Sequence, residues 1–197
     1  MKLLKNLFTL IGFVVVVAIL VAFIKFDLGN RITQVQNLDP KAIPEYMKMF
    51  DKVLNTGDAA QAMIRRVKVN PEVSNNDVEE ALESIATERG IKPVGILPLS
   101  DEINARTGGK RGYIKIFSYC NPMIAGDFVD YSMAFGAFLP CRIALLEDKN
   151  GDRWLYAMAM ELMIEGGHTL SPEMLKKANN VRKTIYDMMD MAAEGDF

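Results

Sequence analysis

An uncharged apolar run near the amino terminus is the first pattern along the chain. It extends over 18 residues, from Leu7 to Ile24, with Lys2 and Lys5 before it and Lys25 after it. As a helix with a rise of about 1.5 Å per residue it would measure about 27 Å, close to the thickness of the hydrocarbon core of a bilayer. The sequence therefore predicts a transmembrane helix that contacts lipid through residues 7–24.

Two interpretations of this run stay open, a retained anchor and a cleaved secretory signal. The run is longer than the apolar region of a usual signal peptide and no small-x-small cleavage site follows it, which favours the anchor. Lys2 and Lys5 precede the run, whereas Asp27 partly balances Lys25 and Arg31 beyond it, so the amino terminus is expected in the cytoplasm. We expect a single-pass protein of the inner (cytoplasmic) membrane with a periplasmic or extracellular carboxyl-terminal domain.

Polar residues without a period, from Asn30 to Asn37, predict a short stalk after this segment. An amphipathic helix is expected next, because apolar side chains recur at helical spacing and Gly57 follows where a left-handed cap belongs. Its apolar stripe consists of Ile43, Met47, Phe50 and Leu54. We expect this stripe to pack against the domain, with contact to the membrane surface or to a partner as the alternative. The predicted organisation is an anchor (1–26), a stalk with an amphipathic helix (27–57) and a globular domain (58–197).

The rest of the chain alternates between strand-like and helix-like patterns. Strands are expected at residues 63–69, 94–99, 113–119, 141–147 and 153–164. Proline residues flank the second of these, which predicts that it lies at an edge of the sheet. One helix is expected after a capping box of Asn76 and Glu79, another in part of residues 123–138, and a last one that begins at Ser171-Pro172.

The clearest hairpin signal is Asn150-Gly151, a dipeptide that suits a two-residue type I′ turn because both positions need a positive φ. Such a turn sets the register of the strands on either side. It would place Ile143 opposite Met158 and Cys141 opposite Met160. One face of this hairpin would then combine thiol, thioether and aliphatic side chains.

Composition narrows the classes of function. Half of the 197 residues are apolar and 24% are charged, which indicates a packed core rather than a disordered chain. The 23 basic and 25 acidic residues give a net charge of -2, which argues against a nucleic-acid partner because that class shows a basic excess or a basic face. The single histidine, His168, excludes a zinc site that needs two histidines from one chain.

Cys120 and Cys141 carry the main chemical question. If their strands are antiparallel neighbours, both thiols lie near one end of the sheet; if the strands are parallel with a crossover between them, the thiols are about 20 Å apart. Close together in an oxidising compartment, the thiols would form a disulfide, remain buried and unreactive, or bind a soft metal such as copper with Met160 or His168. Beyond this copper alternative we expect no cofactor, and we identify no catalytic residue.

Four segments of the chain resemble one protein family. They are Phe117–Pro122, Leu139–Leu145, Glu147–Leu155 and Met163–Gly167. They are similar to the prokaryotic family known as domain of unknown function 302, in its cysteine-bearing, membrane-anchored branch, over roughly residue 61 to the carboxyl terminus. The resemblance implies an α+β fold of the TBP-like β-α-β(4)-α type, with a curved antiparallel sheet and helices on one face, and it implies homodimers. It thereby favours the antiparallel arrangement of the two cysteine strands, and it implies no activity.

Two hypotheses about function follow from these patterns. The first is a non-enzymatic, membrane-anchored extracytoplasmic module that self-associates or serves as an accessory subunit of a membrane complex. The alternative is a periplasmic redox or soft-metal protein of the copper type that uses Cys120 and Cys141.

Overall fold

The structure is a computed structural model that describes residues 2–196, with side chains from residue 4 onward. The helices in this range are α1 (Lys2–Lys25), α2 (Leu28–Gln36), α3 (Ala42–Thr56), α4 (Ala59–Ala62), α5 (Asn75–Glu88), α6 (Leu99–Thr107), α7 (Pro122–Tyr131), α8 (Glu161–Glu165) and α9 (Pro172–Glu194). The strands are β1 (Ile64–Lys68), β2 (Lys92–Leu97), β3 (Ile114–Cys120), β4 (Cys141–Glu147) and β5 (Arg153–Met158). A short 3-10 helix covers Met133–Phe138.

These strands form one antiparallel sheet in the order β1-β5-β4-β3-β2. The chain order follows the expected β-α-β(4)-α plan, with α6 inserted between β2 and β3 and α7 between β3 and β4. The predicted α+β class is confirmed, and the strands that bear Cys120 and Cys141 are antiparallel neighbours. Strand β2 lies at an edge, as its prolines predicted.

One face of the sheet carries the hydrophobic core. Phe117, Ile143 and Ala157 lie opposite one another on β3, β4 and β5 and are buried. Helices α5 and α9 pack on this face and on each other, and they bury Leu82 and Ile185 completely or almost completely. Each helix buries one apolar stripe, as expected for an element that has one side on a core and one in solvent.

Helix α5 begins two residues earlier than the sequence patterns indicated. The capping box is formed by Ser74 and Asp77: the Ser74 hydroxyl accepts from the Asp77 N–H at 3.2 Å, and the Asp77 carboxylate accepts from the Ser74 N–H at 2.8 Å. The predicted capping pair of Asn76 and Glu79 is wrong. Both pairs have the required spacing, but only Ser74 and Asp77 lie at the turn where α5 begins. Glu79 instead accepts a hydrogen bond from Tyr113.

The hairpin between β4 and β5 has a three-residue loop. Asp148 lies opposite Asp152, whose carbonyl accepts from the Asp148 N–H at 2.8 Å, and Gly151 has a φ of 83°. The Asp148 carboxylate also accepts from the N–H groups of Asn150 and Asp152, at 2.8 and 3.1 Å. This arrangement is typical of a type I turn followed by a left-handed residue. The predicted two-residue turn is therefore wrong by one residue of register.

The shift of register changes the expected partners on the hairpin. Ile143 lies opposite Ala157 rather than Met158. Met160 lies outside the ladder altogether, because β5 ends at Met158 and residues 161–165 form α8. The predicted strand over residues 153–164 was too long, and the expected contact across the hairpin between Cys141 and Met160 is wrong.

The amino-terminal region is more helical than the sequence patterns indicated. Helix α1 contains a segment, Leu4–Lys25, that is long and apolar enough to cross a membrane, with a mean hydropathy of 3.2 and none of it buried in the protein. Residues 28–36 form α2, although the polar stretch showed no periodic pattern. Leu28, Ile32 and Val35 occur at helical spacing in α2, a short stripe that the surrounding polar residues obscure.

Helix α3 forms as predicted and ends at Gly57, which has a φ of 67°. Its apolar stripe, however, does not pack against the domain. All four stripe residues, Ile43, Met47, Phe50 and Leu54, are exposed. A different side of the helix contacts the domain, where Ala42 is fully buried.

Candidate functional site

An apolar cleft of about 410 Å³ lies at the end of the sheet where β3 ends and β4 begins. Helix α7 and the 3-10 helix connect these two strands, so their side chains form one wall. The sheet, α8 and α9 form the other walls. Prominent lining residues are Tyr119, Cys120, Phe128, Phe135, Cys141, Met160 and Ile185. The volume lies within the range of about 300–1,000 Å³ that is usual for small-molecule pockets.

Both cysteines line this cleft. Cys141 lies directly opposite Tyr119 in the ladder between β3 and β4, one residue away from Cys120. Both cysteines are free thiols in the structure and are partly buried. Successive side chains on a strand point to opposite faces, so Cys120 is directed away from the face that Tyr119 and Cys141 share. A disulfide between them would therefore need the end of β3 to rotate.

Burial, and to a smaller extent the neighbouring thiol of Cys120, raises the pKa of the Cys141 thiol to about 11. The positive charge of Arg142 acts in the opposite direction but is the smaller effect. At neutral pH the Cys141 thiol is therefore protonated. The thiolate is the form that attacks electrophiles and binds metals, so the Cys141 thiol is unreactive until it loses its proton.

Met160 reaches the same cleft by a different route from the one the sequence suggested. It caps the amino end of α8 and is 3% exposed. Its backbone N–H donates to the Tyr186 hydroxyl at 3.1 Å, and the Glu161 carboxylate accepts from that hydroxyl. Tyr186 thus fixes the turn that directs Met160 into the cleft.

His168 does not line the cleft. It is exposed after the glycine pair Gly166-Gly167, and its Nδ1 lies 2.7 Å from the Asn37 carbonyl oxygen, to which it donates. The contact ties the loop before α9 to the end of α2. Among the residues that the structure describes, no three His, Cys, Asp or Glu side chains are grouped closely enough to hold a metal ion.

The aromatic wall of the cleft was not identified from the sequence. Phe128 on α7 packs against Phe135 on the 3-10 helix, with ring centroids 4.9 Å apart, and Phe138 also lines the cleft. A usable signal was present in Asn121-Pro122. The Asn121 side chain accepts from two backbone N–H groups at the start of α7, and proline is favoured at the first helical position.

A second feature is the side of the sheet opposite α5 and α9, which we call the open face. The register of the strands places on it the uncharged residues Leu97, Ile114, Ile116, Ser118, Ala144, Leu146, Trp154 and Tyr156, together with the basic residues Arg66, Lys68 and Arg142. In the described part of the chain, none of these residues is buried. Ile116, Ala144 and Tyr156 also line the cleft, which therefore opens onto this face.

Comparison with known proteins identifies the family. The model of the family "Domain of unknown function DUF302" matches residues 65–192. The chain belongs to the DUF302 family. Residues 1–64, with the apolar helix α1, precede the matched region.

A solved structure supports the same fold. The crystal structure of an uncharacterized conserved DUF302 protein from Bacillus stearothermophilus superposes with a TM-score of 0.55 at 18% sequence identity. The alignment covers 66% of this chain and 98% of that protein. A search of the curated proteins gave no match. The relationship therefore identifies a DUF302 fold and carries no assigned activity with it.

Proposed function

We propose that this DUF302 protein is a non-enzymatic, membrane-anchored extracytoplasmic module that self-associates through the open face of its sheet. The observation that carries the proposal is the open face itself. Rows of apolar side chains, Ile116–Ala144–Tyr156 and Ile114–Leu146–Trp154, cross three strands there, and all six residues are only partly buried. Contiguous apolar surface that stays accessible to solvent is characteristic of protein interfaces.

The size of the open face fits a pair of copies. Five strands about 4.8 Å apart and six residues at about 3.3 Å each give a face of about 24 by 20 Å. The solvent-accessible area of the face is larger than this rectangle because side chains protrude from it. It therefore approaches the roughly 800 Å² that each partner buries in a standard interface. Edge pairing through β2 is less favourable, because Pro93 removes a hydrogen-bond donor and the register shifts between Pro93 and Gly95.

A charge on the open face tests self-association. Ala144→Arg places a guanidinium at the centre of the face, and Ala105→Arg makes the same change on exposed α6 as a matched control. In mild detergent, light scattering should find two copies per particle for the wild type and for Ala105→Arg, and one for Ala144→Arg. Single wild-type copies that co-purify with a different subunit would instead favour the accessory role.

The location of the domain is a separate part of the proposal. Lys2 and Lys5, which precede the apolar run of α1, support a cytoplasmic amino terminus and a domain on the other side of the membrane. A membrane-impermeant maleimide tests this in intact cells, with Ala105→Cys introduced in a chain that lacks Cys120 and Cys141. Labelling of Cys-substituted position 105 before lysis supports the proposed orientation, and labelling only after lysis contradicts it.

A soft-metal site is the second candidate, because Cys120, Cys141 and Met160 border one cleft. Thiolate and thioether sulfur are ligands that Cu(I) prefers. Binding would have to displace the proton of Cys141, whose pKa is raised to about 11, so the apparent affinity should rise with pH. Cu(I) titration of the reduced chain, with Cys141→Ser as the comparison, should show this pH dependence only in the wild type. A stable disulfide by mass and no retained copper would exclude the site.

A further inference from the structure

The apolar stripe of α3 is exposed although α3 itself is held against the domain. The exposed fractions are 46% for Ile43, 52% for Met47, 52% for Phe50 and 66% for Leu54. These residues are four, three and four positions apart, so they form one continuous row along the helix. Single exposed apolar residues are ordinary on protein surfaces, but a contiguous row marks a binding surface.

Helix α3 has three distinct sides. One side faces the domain across a groove of about 800 Å³, where Glu45, Met49 and Lys52 lie. A second side is polar and exposed, with Asp51 and Asn55. The third side is the apolar stripe. The helix therefore has a covered side, a solvated side and an apolar side for which the described chain provides no cover.

The connection to α1 favours lipid as the occupant of the apolar side. Sixteen residues separate Lys25 at the end of α1 from Ala42 at the start of α3, and nine of them form α2. Helix α2 spans about 13 Å and the other seven residues at most about 25 Å. Residues 26–41 thus keep α3 within about 38 Å of the end of α1. Helix α2 also exposes Ile32 and Val35, so apolar surface continues along the connection.

We propose that α3 lies on the surface of the bilayer, with its stripe at the boundary between headgroups and acyl chains. Amphipathic helices in this position bury their apolar side about 5–10 Å deep. The inference rests on the anchoring role of α1. It goes further in one respect: α3 is joined to the domain by Lys41, whose Nζ lies 2.8 Å from the buried carboxylate of Glu165. The position of α3 on the membrane would therefore set the orientation of the whole domain.

Tryptophan fluorescence in lipid nanodiscs tests the inference with the full chain. The only native tryptophan, Trp154, is replaced by phenylalanine, and a new one is introduced by Phe50→Trp on the stripe. Asn55→Trp, on the polar side of the same helix, is the matched control. Both positions are exposed, so both variants should fold. Brominated lipids report contact with acyl chains, and iodide reports contact with water.

The expected result is opposite behaviour of the two probes. The tryptophan at position 50 should emit at shorter wavelength and lose most of its intensity with brominated lipid, while the tryptophan at position 55 responds to iodide. Quenching of the position 50 probe by iodide alone would overturn the inference, and protection from both quenchers would show that protein covers the stripe. A chain that incorporates into nanodiscs without lipid quenching refutes only the α3 inference. A chain that fails to incorporate refutes the anchor as well.

Discussion

The buried carboxylate of Glu165 offers a direct test of how α3 is fixed to the domain. Its side chain is 6% exposed, whereas that of its partner Lys41 is 66% exposed. The guanidinium of Arg182 lies 3.7 Å away on the other side. Glu165→Gln keeps the shape of the side chain and removes its charge, so it weakens both contacts without leaving a cavity.

The expected loss can be worked out from these contacts. A hydrogen bond to a charged group contributes about 1.5–3 kcal/mol, and the exposure of Lys41 puts this one at the lower end. At an effective dielectric constant of about 20, the Coulomb attraction between the Arg182 guanidinium and the Glu165 carboxylate is about 4.5 kcal/mol. The desolvation of the carboxylate offsets most of this attraction. We expect Glu165→Gln to lower the free energy of unfolding by about 2 kcal/mol, and the melting temperature by about 4–8 °C.

Thermal unfolding of the detergent-solubilised chain, followed by Trp154 fluorescence, measures this loss. Glu173→Gln is the control, because Glu173 pairs with Lys177 at a side-chain exposure of 76% and should change stability by less than about 0.5 kcal/mol. Hydrogen exchange of the α3 amides should also accelerate in Glu165→Gln. Equal stabilities for the two variants, or unchanged exchange in α3, would refute the idea that Glu165 holds the helix in place.

Three further predictions concern the core, the hairpin and the thiol. Ile143→Ala, at a fully buried position on a central strand, should lower the free energy of unfolding in urea by about 2–5 kcal/mol. Ile96→Ala, at an edge position that is 58% exposed, should lower it by less than about 1 kcal/mol. Similar losses in the two variants would contradict the placement of the core. Gly151→Ala should destabilise the protein by about 1–2 kcal/mol because φ is 83° at this position. Gly126→Ala inside α7, where a Cβ meets no atom within 4 Å, should stabilise it by about 0.5–1 kcal/mol. Chemical unfolding distinguishes the two signs. The pKa of Cys141 is raised from 9.0 to about 11, so its contribution to stability is complete below pH 9 and is lost between pH 9 and 11. The wild type should therefore lose about 2 kcal/mol more free energy of unfolding than Cys141→Ala over that interval. Parallel plots of unfolding free energy against pH for the two proteins would disprove the shift.

The sequence patterns predicted those features that depend on neighbours along the chain. The buried stripe of α5, the start of α9 at Ser171-Pro172 and the edge position of β2 all follow from spacing and proline chemistry. Helix α6 was missed because it is short and polar, with only Ser100 buried. The hairpin register was missed because Asn150-Gly151 suits both a two-residue and a three-residue loop, and the choice depends on the bonds that Asp148 accepts.

The features that depend on distant contacts could not be obtained in this way. The cleft brings Cys120, Cys141 and Met160 together from three elements, and α8 carries Met160 there only because β5 ends at Met158. The sequence shows that α3 has an apolar stripe, but it does not show whether the stripe faces the domain or its surroundings. Packing on a domain and contact with a membrane require the same spacing of apolar residues, and the side that contacts the domain was decided by Ala42 and Lys41.

Photo-crosslinking in intact cells tests the central claim, pairing through the open face, most directly. p-Benzoylphenylalanine replaces Tyr156 at the centre of that face, and in a control chain it replaces Tyr131, which is 50% exposed on α7. We expect a crosslink from position 156 to a second copy of the chain and little or none from position 131. No crosslink from position 156, or a crosslink only to a different protein, would contradict it.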